Sequence, residues 1–344
     1  MKGLSYKRAG VDIRAANAAK HEMKRTLAGA DKRVLNAPGA FASLVDGRFP
    51  GMRHPVLVLK TEEPGSKQKL AFEHGRIRSI CEDMVNHLVN DIAVMGATPL
   101  SIQDCIVCGK LEKNIVTEIV RSIAAAARAQ GAVLTGGETS EQPGVVERGT
   151  YILTSSVVGV AEKTEIIDGS KIRIGDVVLA VASNGLHTNG YSLVRTLLKK
   201  KPRLAKRRID GKSFLDAILV PHKCYYQALR GIFRHPGLHG MAHITGGGIT
   251  GNLNRILPRG LDASIDPTTI KILPVFRFIK EEGRVSDAEM LRTFNMGVGI
   301  TIVCGKSAAP AIQRHLAAHG CKSYPIGEIV HGNQHVRYKG MLRW

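Results

Sequence analysis

Between positions 80 and 95, Asp83, His87 and Asn90 recur at offsets of four and seven residues, so that on a helix they share one narrow stripe, with Asp91 at its edge. Met84, Val85, Leu88, Val89, Ile92 and Met95 cover the other faces, so this helix is expected to be largely buried and to carry acids and an amide inward. A buried carboxylate needs a partner. A magnesium ion bearing nucleotide phosphates is one, and N-capping with salt bridging is the other. Three glycine-rich stretches follow strand-like runs: Thr135-Gly136-Gly137-Glu138-Thr139, residues 183–190 (SNGLHTNG) and Thr245-Gly246-Gly247-Gly248. Such loops let backbone N–H groups surround an anion, although glycine also simply makes turns. No G-x-G-x-x-G or G-x-x-x-x-G-K-[ST] occurs at these places, which disfavours a Rossmann site or a P-loop. His187, with Asn184, Thr188 and Asn189 beside it, has the chemistry to move a proton near neutral pH or to serve as a structural histidine.

The elements that must position these groups alternate between helical and strand-like patterns, which predicts α/β or α+β packing. Residues 56–61 (VLVLKT) read as a strand stopped by Pro64-Gly65, and residues 80–95 as a helix closed by Gly96. Asn114 is expected to N-cap a helix striped by Ile115, Ile119 and Ile123 and closed at Gly131. Residues 132–135 form a strand that enters the Gly136-Gly137 loop, and residues 151–160 another. The polar stretch 162–176 is the expected domain boundary, before the strand at 177–183, dividing the chain into residues 1–165 and 166–344.

A chain of 344 residues is long enough for two cores, and 44% hydrophobic with 23% charged residues is the balance of a globular protein. No stretch reaches the roughly 20 apolar residues of a membrane span, and the basic N-terminal stretch lacks the apolar run of a secretory signal. Lys plus Arg outnumber Asp plus Glu by 49 to 29, a net +20 that favours anionic partners. The basic cluster from Lys199 to Arg208 has no interleaved aromatic residue, so it reads as a solvated segment rather than a nucleic-acid patch. Six cysteines in a chain this long do not make a disulfide framework, which points to a reduced, cytoplasmic protein. The Cys105-x-x-Cys108 pair, set in an apolar run without a second pair, reads as core residues of a strand.

Several segments together resemble the phosphoribosylformylglycinamidine cyclo-ligase (aminoimidazole ribonucleotide synthetase) family. They are SYKRAGVDI (5–13), EDMVNHLVNDIAVMGATPL (82–100), CGKL (108–111), TGGETSEQPG (135–144), EKTEIIDGSKI (162–172), SNGLHTNGYSLVR (183–195), AHITGGG (242–248) and RTFNMGVG (292–299). The resemblance implies a two-domain fold of α+β/α/β class: an N-terminal domain forming a β-barrel across a homodimer, and a C-terminal α+β sandwich, with ATP in the cleft between them. It implies ring closure of formylglycinamidine ribonucleotide driven by ATP and Mg²⁺, by phosphorylation of the formyl amide oxygen, attack of the amidine nitrogen and loss of phosphate.

By the same resemblance Glu62, Asp83, Asp91 and Glu138 fall on the metal side, Lys24 and Lys67 near the phosphates, and Asn90 beside the nucleotide. Asn184, Thr188, Asn189 and Thr245, Gly246, Gly247 and Gly248 would face the substrate, with His187 or His243 handling a proton, and Lys24 and Asp83 joining them in catalysis. The family's T-D-G-V-G-T-K stands here as Thr61-Glu62-Glu63-Pro64-Gly65-Ser66-Lys67, where Pro64 removes an N–H. Its Gly-Gly-Phe-Gly is altered around Pro38-Gly39-Ala40-Phe41-Ala42, and Ile152 stands where Asp is common. The alternatives are another ATP-using enzyme of the same superfamily or a noncatalytic nucleic-acid-binding paralogue.

Overall fold

The computed structural model describes residues 40–344, together with 31–36 and residues 22, 23, 25 and 26; Lys24 and segment 5–13 lie outside these. The chain divides into two compact units, one made of the residues up to Val89 with Thr98–Glu162, the other of Asn90–Ala97 with Lys163–Trp344.

In the first unit the order is β1 (Pro55–Glu62), α1 (Lys67–Glu73), α2 (Ile77–Ala93, whose residues from Asn90 on belong to the second unit), β2 (Thr98–Cys108), α3 (Lys113–Ala129), β3 (Val133–Glu141) and β4 (Tyr151–Glu162). The sheet runs β1-β4-β2-β3, and α3 is the crossover that joins the parallel pair β2 and β3. One face is closed: Ile102, Ile106, Leu153 and Val157 are no more than 1% exposed, with α3 packed on β2 and β3 and α1 on β4. The opposite face carries Leu57 at 56%, Leu59 at 69% and Ile152 at 38% exposure, so it is open and partly apolar. The sheet itself does not close into a barrel; β1 and β3 are its edges.

Two local readings need correction. The α3 start is set by Glu112 in extended conformation, with no side-chain cap, and Asn114 lies exposed inside the first turn. Tertiary partners anchor that entry: the Leu111 N–H donates to Glu141 Oε1 at 2.8 Å and the Glu112 N–H to the Tyr151 hydroxyl at 3.1 Å. Gly136, Gly137, Glu138 and Thr139 form no loop, because β3 continues through them in register with Gln103, Asp104, Cys105 and Ile106. Glycine is required at 137, where a Cβ would lie 2.0 Å from Asp104 Oδ1. The strand reading of Cys105 and Cys108 holds, and their odd offset of three residues turns them to opposite faces, Cys105 half-buried and Cys108 buried.

The second unit holds a six-stranded sheet ordered β12-β9-β11-β5-β10-β8. Its strands are β5 (Val177–Ala182), β8 (Leu238–His243), β9 (Leu261–Ile265), β10 (Val298–Cys304), β11 (Ser323–His331) and β12 (Val336–Tyr338), and all pairings are antiparallel except β12 with β9. A two-residue hairpin, β6 (Arg208–Ile209) with β7 (Lys212–Ser213), stands apart from it. The helices of this unit are α4 (Tyr191–Lys200), α5 (Phe214–Ile218), α6 (Tyr226–Leu229), α7 (Gly248–Leu253), α8 (Pro274–Gly283), α9 (Asp287–Thr293) and α10 (Ala309–Ala318). Every residue of β8 and β10 is buried, so neither strand alternates between a covered and an open face. Lys199 and Lys200 occupy the last turn of α4, where the helix dipole favours cations, and Lys201 follows with an ion pair to Glu282 at 2.9 Å. Among the described residues no helix is long and apolar enough to cross a membrane.

Candidate functional site

In the first unit the apolar residues of α2 bury the helix: Ile80, Cys81, Met84, Val85, Leu88 and Val89 are 0% exposed. Asp83 on that helix is equally covered, and its Oδ1 accepts from Lys67 Nζ at 2.8 Å, Lys67 being the first residue of α1 and also 0% exposed. Burial draws the Lys67 amine down from its ordinary value against the opposing pull of Asp83. The pair expected at the nucleotide phosphates is thus a buried ion pair, in which each charge offsets the desolvation of the other. Glu62, the last residue of β1, is half-buried and pairs with Lys60 at 2.8 Å, with His87 Nε2 4.0 Å away; Glu63 is exposed. Glu138 is exposed and accepts from the Thr139 N–H at 2.8 Å. Among the described residues of this unit, these carboxylates form no metal-holding cluster.

Asp104 on β2 was not singled out by its sequence context. Its side chain is 6% exposed, and burial pushes its carboxyl up to about 7. Its Oδ2 makes no hydrogen bond.

In the second unit the loop after β5 and the end of β8 bring histidines together. Ser183 Oγ bonds to the Gly185 carbonyl and to Asn295 Oδ1, both at 3.1 Å, and Asn184 Nδ2 donates to the Pro221 carbonyl at 2.8 Å. These contacts hold His187 with a left-handed φ of 59°, an uncommon conformation for a non-glycine residue. Gly190 ends the loop at φ 80°, where a Cβ would lie 2.1 Å from the Phe294 ring. Thr188 is buried and Asn189 half-buried; a Cβ on Gly246 would come 3.2 Å from Asn189 Oδ1, so the loop at 183–190 abuts Thr245-Gly246-Gly247-Gly248. Thr245 Oγ1 donates to Asn252 Oδ1 at 3.2 Å, and Asn252 Nδ2 donates to the carbonyls of Gly246 and Gly248 at 3.2 and 2.8 Å, fixing the glycine turn into α7.

His243, the last residue of β8, has Nδ1 2.7 Å from Asp91 Oδ1 and Nε2 3.0 Å from His222 Nε2. His222 stacks on His187 with centroids 3.8 Å apart and planes 16° apart. Asn90 accepts the Tyr225 N–H at 2.8 Å and donates to the Lys223 carbonyl at 2.9 Å. Asp91 and Asn90, assigned to the metal and nucleotide side, are therefore engaged with a histidine and a loop backbone. His222 and Tyr225 escaped the sequence reading; Pro221-His222 carries no spacing signal, and only the fold brings it to His243. Gly299 on β10 makes room for this group, since a Cβ there would lie 2.0 Å from the Tyr225 hydroxyl and 3.0 Å from His187 Cε1. Burial pushes the Tyr225 phenol far up, so it stays protonated and donates to the Ala182 carbonyl at 3.1 Å.

A family model described as AIR synthase related protein, N-terminal domain, matches residues 53–161, and the corresponding C-terminal domain matches residues 173–339. The curated phosphoribosylformylglycinamidine cyclo-ligase of Methylobacillus flagellatus is 41% identical over 332 residues, covering 95% of this chain and 94% of that protein. The chain belongs to the phosphoribosylformylglycinamidine cyclo-ligase family. Another cyclo-ligase, from Xanthomonas euvesicatoria pv. vesicatoria, is 38% identical over 342 residues, 97% of this chain and 99% of that one. The two-domain α/β fold of the superfamily is shared with thiamine-monophosphate kinase from Stenotrophomonas maltophilia K279a, at TM-score 0.69 and 15% identity over 95% of this chain and 97% of that one. It is shared also with the hydrogenase maturation protein HypE solved in complex with ATP, at TM-score 0.65 and 17% identity over 94% and 92% of the two chains.

Proposed function

We propose that this chain closes the imidazole ring of aminoimidazole ribonucleotide from formylglycinamidine ribonucleotide, using ATP and releasing ADP and phosphate in purine biosynthesis. The observation that carries this reading is identity near 40% to curated cyclo-ligases along nearly the whole chain. In this reaction the formyl amide oxygen takes the γ-phosphoryl group, the amidine nitrogen attacks that carbon, and the C–O bond to phosphate breaks as the nitrogen loses a proton. His243 is suited to that proton: the Asp91 carboxylate at 2.7 Å holds Nδ1–H, leaving Nε2 as the exchanging atom. His187 lies in the same buried group, and Asn184, Thr188, Asn189 and Thr245 to Gly248 supply hydroxyl, amide and backbone donors for a ribonucleotide.

Lys24 retains its assignment to the phosphates by resemblance. Mg²⁺ bound with nucleotide phosphates uses only one or two protein carboxylates. Glu62, half-buried at the end of β1, is the one of the four that fits this role best, and Glu138 is exposed enough to assist; the ion would neutralise charge on the phosphates. Lys67 and Asp83 then act as the buried support of the loop that carries Glu62. We place the homodimer interface on the open face of the first unit's sheet, where Leu57, Leu59 and Ile152 are exposed and two such open sheets would complete a barrel.

The direct test is steady-state ADP release by the purified chain with formylglycinamidine ribonucleotide, ATP and Mg²⁺. Release that depends on the ribonucleotide, with one aminoimidazole product per ADP, is expected. ATP turnover indifferent to the ribonucleotide would overturn the reading.

A further inference from the structure

Three imidazoles of the second unit, on His187, His222 and His243, offer ring nitrogens that all lie within 4.8 Å of one another. They are 2%, 1% and 5% exposed. The hydrogen bond at His243 fixes where its lone pair points. His243 Nδ1, 2.7 Å from Asp91 Oδ1, donates its hydrogen to the carboxylate, so Nε2 of the neutral ring carries a lone pair. The Asn90 amide is oriented by two backbone groups, its Oδ1 accepting from the Tyr225 N–H and its Nδ2 donating to the Lys223 carbonyl. The same Nδ2 stands 3.3 Å from His222 Nε2. His222 Nε2 in turn lies 3.0 Å from His243 Nε2, so two buried ring nitrogens are brought together. A proton shared between them, or a metal cation, satisfies such a contact.

We propose that His187, His222 and His243 form a binding site for a divalent transition-metal ion of the zinc class, separate from the Mg²⁺ that accompanies ATP. Imidazole suits Zn²⁺, Co²⁺ or Ni²⁺, whereas Mg²⁺ selects oxygen. Zn–N bonds of about 2.0–2.1 Å in a tetrahedron set ligand nitrogens about 3.3 Å apart, so the His222–His243 gap needs to widen by only a few tenths of an ångström. The Asp91–His243 contact is the carboxylate–histidine pairing that orients a metal-bound imidazole. His187, stacked on His222, joins by rotating its ring toward the ion, and a fourth position stays open to water. When filled, the site holds His243 Nε2 and so withdraws it from proton transfer.

The test uses the untagged full chain, stripped with a chelator and titrated with Co²⁺ under visible absorption, then with Zn²⁺ by calorimetry. One Co²⁺ per chain with the strong visible bands of tetrahedral cobalt is expected, displaced by equimolar Zn²⁺ and indifferent to excess Mg²⁺. His222→Ala and His222→Asn should each weaken binding at least as much as Asp91→Asn, for which loss of an orienting partner predicts about 10–100-fold. His319→Ala, which removes one ring of the separate His315–His319 pair, should leave the titration unchanged. Thermal melting establishes which variants are folded, and Asp91→Asn carries the comparison if His222→Ala is not. Wild-type protein that binds neither metal, or binding that survives both the folded His222 variant and Asp91→Asn, overturns the proposal.

Discussion

Replacing Asp104 by Asn should stabilise the protein in a pH-dependent way that follows directly from its burial. The side chain is 6% exposed, and its carboxyl is pushed from the ordinary 3.8 to about 7. Between those values the folded state holds a proton that the unfolded state has released, so unfolding free energy falls as pH rises. Below 3.8 both states are protonated and the group is neutral in each; above about 7 both are ionised and the folded state bears the full cost of the buried charge. At about 1.4 kcal/mol per pH unit, the interval from 3.8 to about 7 amounts to about 4 kcal/mol. Asn copies the neutral carboxyl in shape, so Asp104→Asn should gain little over wild type near pH 4, about 1–2 kcal/mol near pH 5 and about 4 kcal/mol at pH 8. Urea unfolding of both proteins across that range measures the difference. A stability difference that does not change with pH, or a variant less stable than wild type at pH 8, would refute an ionised, uncompensated Asp104 in the folded state.

Asp83→Asn leaves the Lys67 ammonium buried without its carboxylate, so a loss of about 3–5 kcal/mol in denaturant unfolding is expected, with activity falling only as the folded fraction falls. Retained stability with abolished turnover would instead return Asp83 to the nucleotide. Glu62→Gln should cut kcat/KM for Mg-ATP at least tenfold, while Glu63→Gln, on an exposed side chain one position further on, should change it less than threefold; equal losses would mean that this loop uses a different arrangement. Leu59→Arg on the open sheet face should shift light scattering from dimer toward monomer at micromolar concentration without unfolding the chain, and an unaltered dimer would place the interface elsewhere.

Local pattern was enough for most of the elements. The strand at 56–61, the buried helix around 80–95 and the strand at 177–183 all lie where hydrophobic periodicity and Gly or Pro punctuation put them, because those signals act over a few residues of chain. The order of the family's motifs was likewise legible, since it is written in linear sequence. The stripe Asp83, His87 and Asn90 was a correct statement about one helix face, yet its partners were beyond reach. Whether Asp83 meets a metal or Lys67 depends on which residue begins α1 beneath it, and whether Asp91 meets a phosphate or His243 depends on where β8 ends. Gly136-Gly137 resembled a loop because glycine permits one, but the neighbouring Asp104 decided it: β2 extends far enough to pair with β3, and glycine is there to admit the Asp104 carboxylate. His222 gave no signal at all, being 35 residues from His187 in sequence and stacked on it in space. Residue types and spacing thus determine which helices, strands and chemical groups exist, through interactions a turn or two long. Which buried charge finds a counterion, and which imidazole nitrogens come to face one another, is decided by long-range packing, where contacts join residues far apart in the chain.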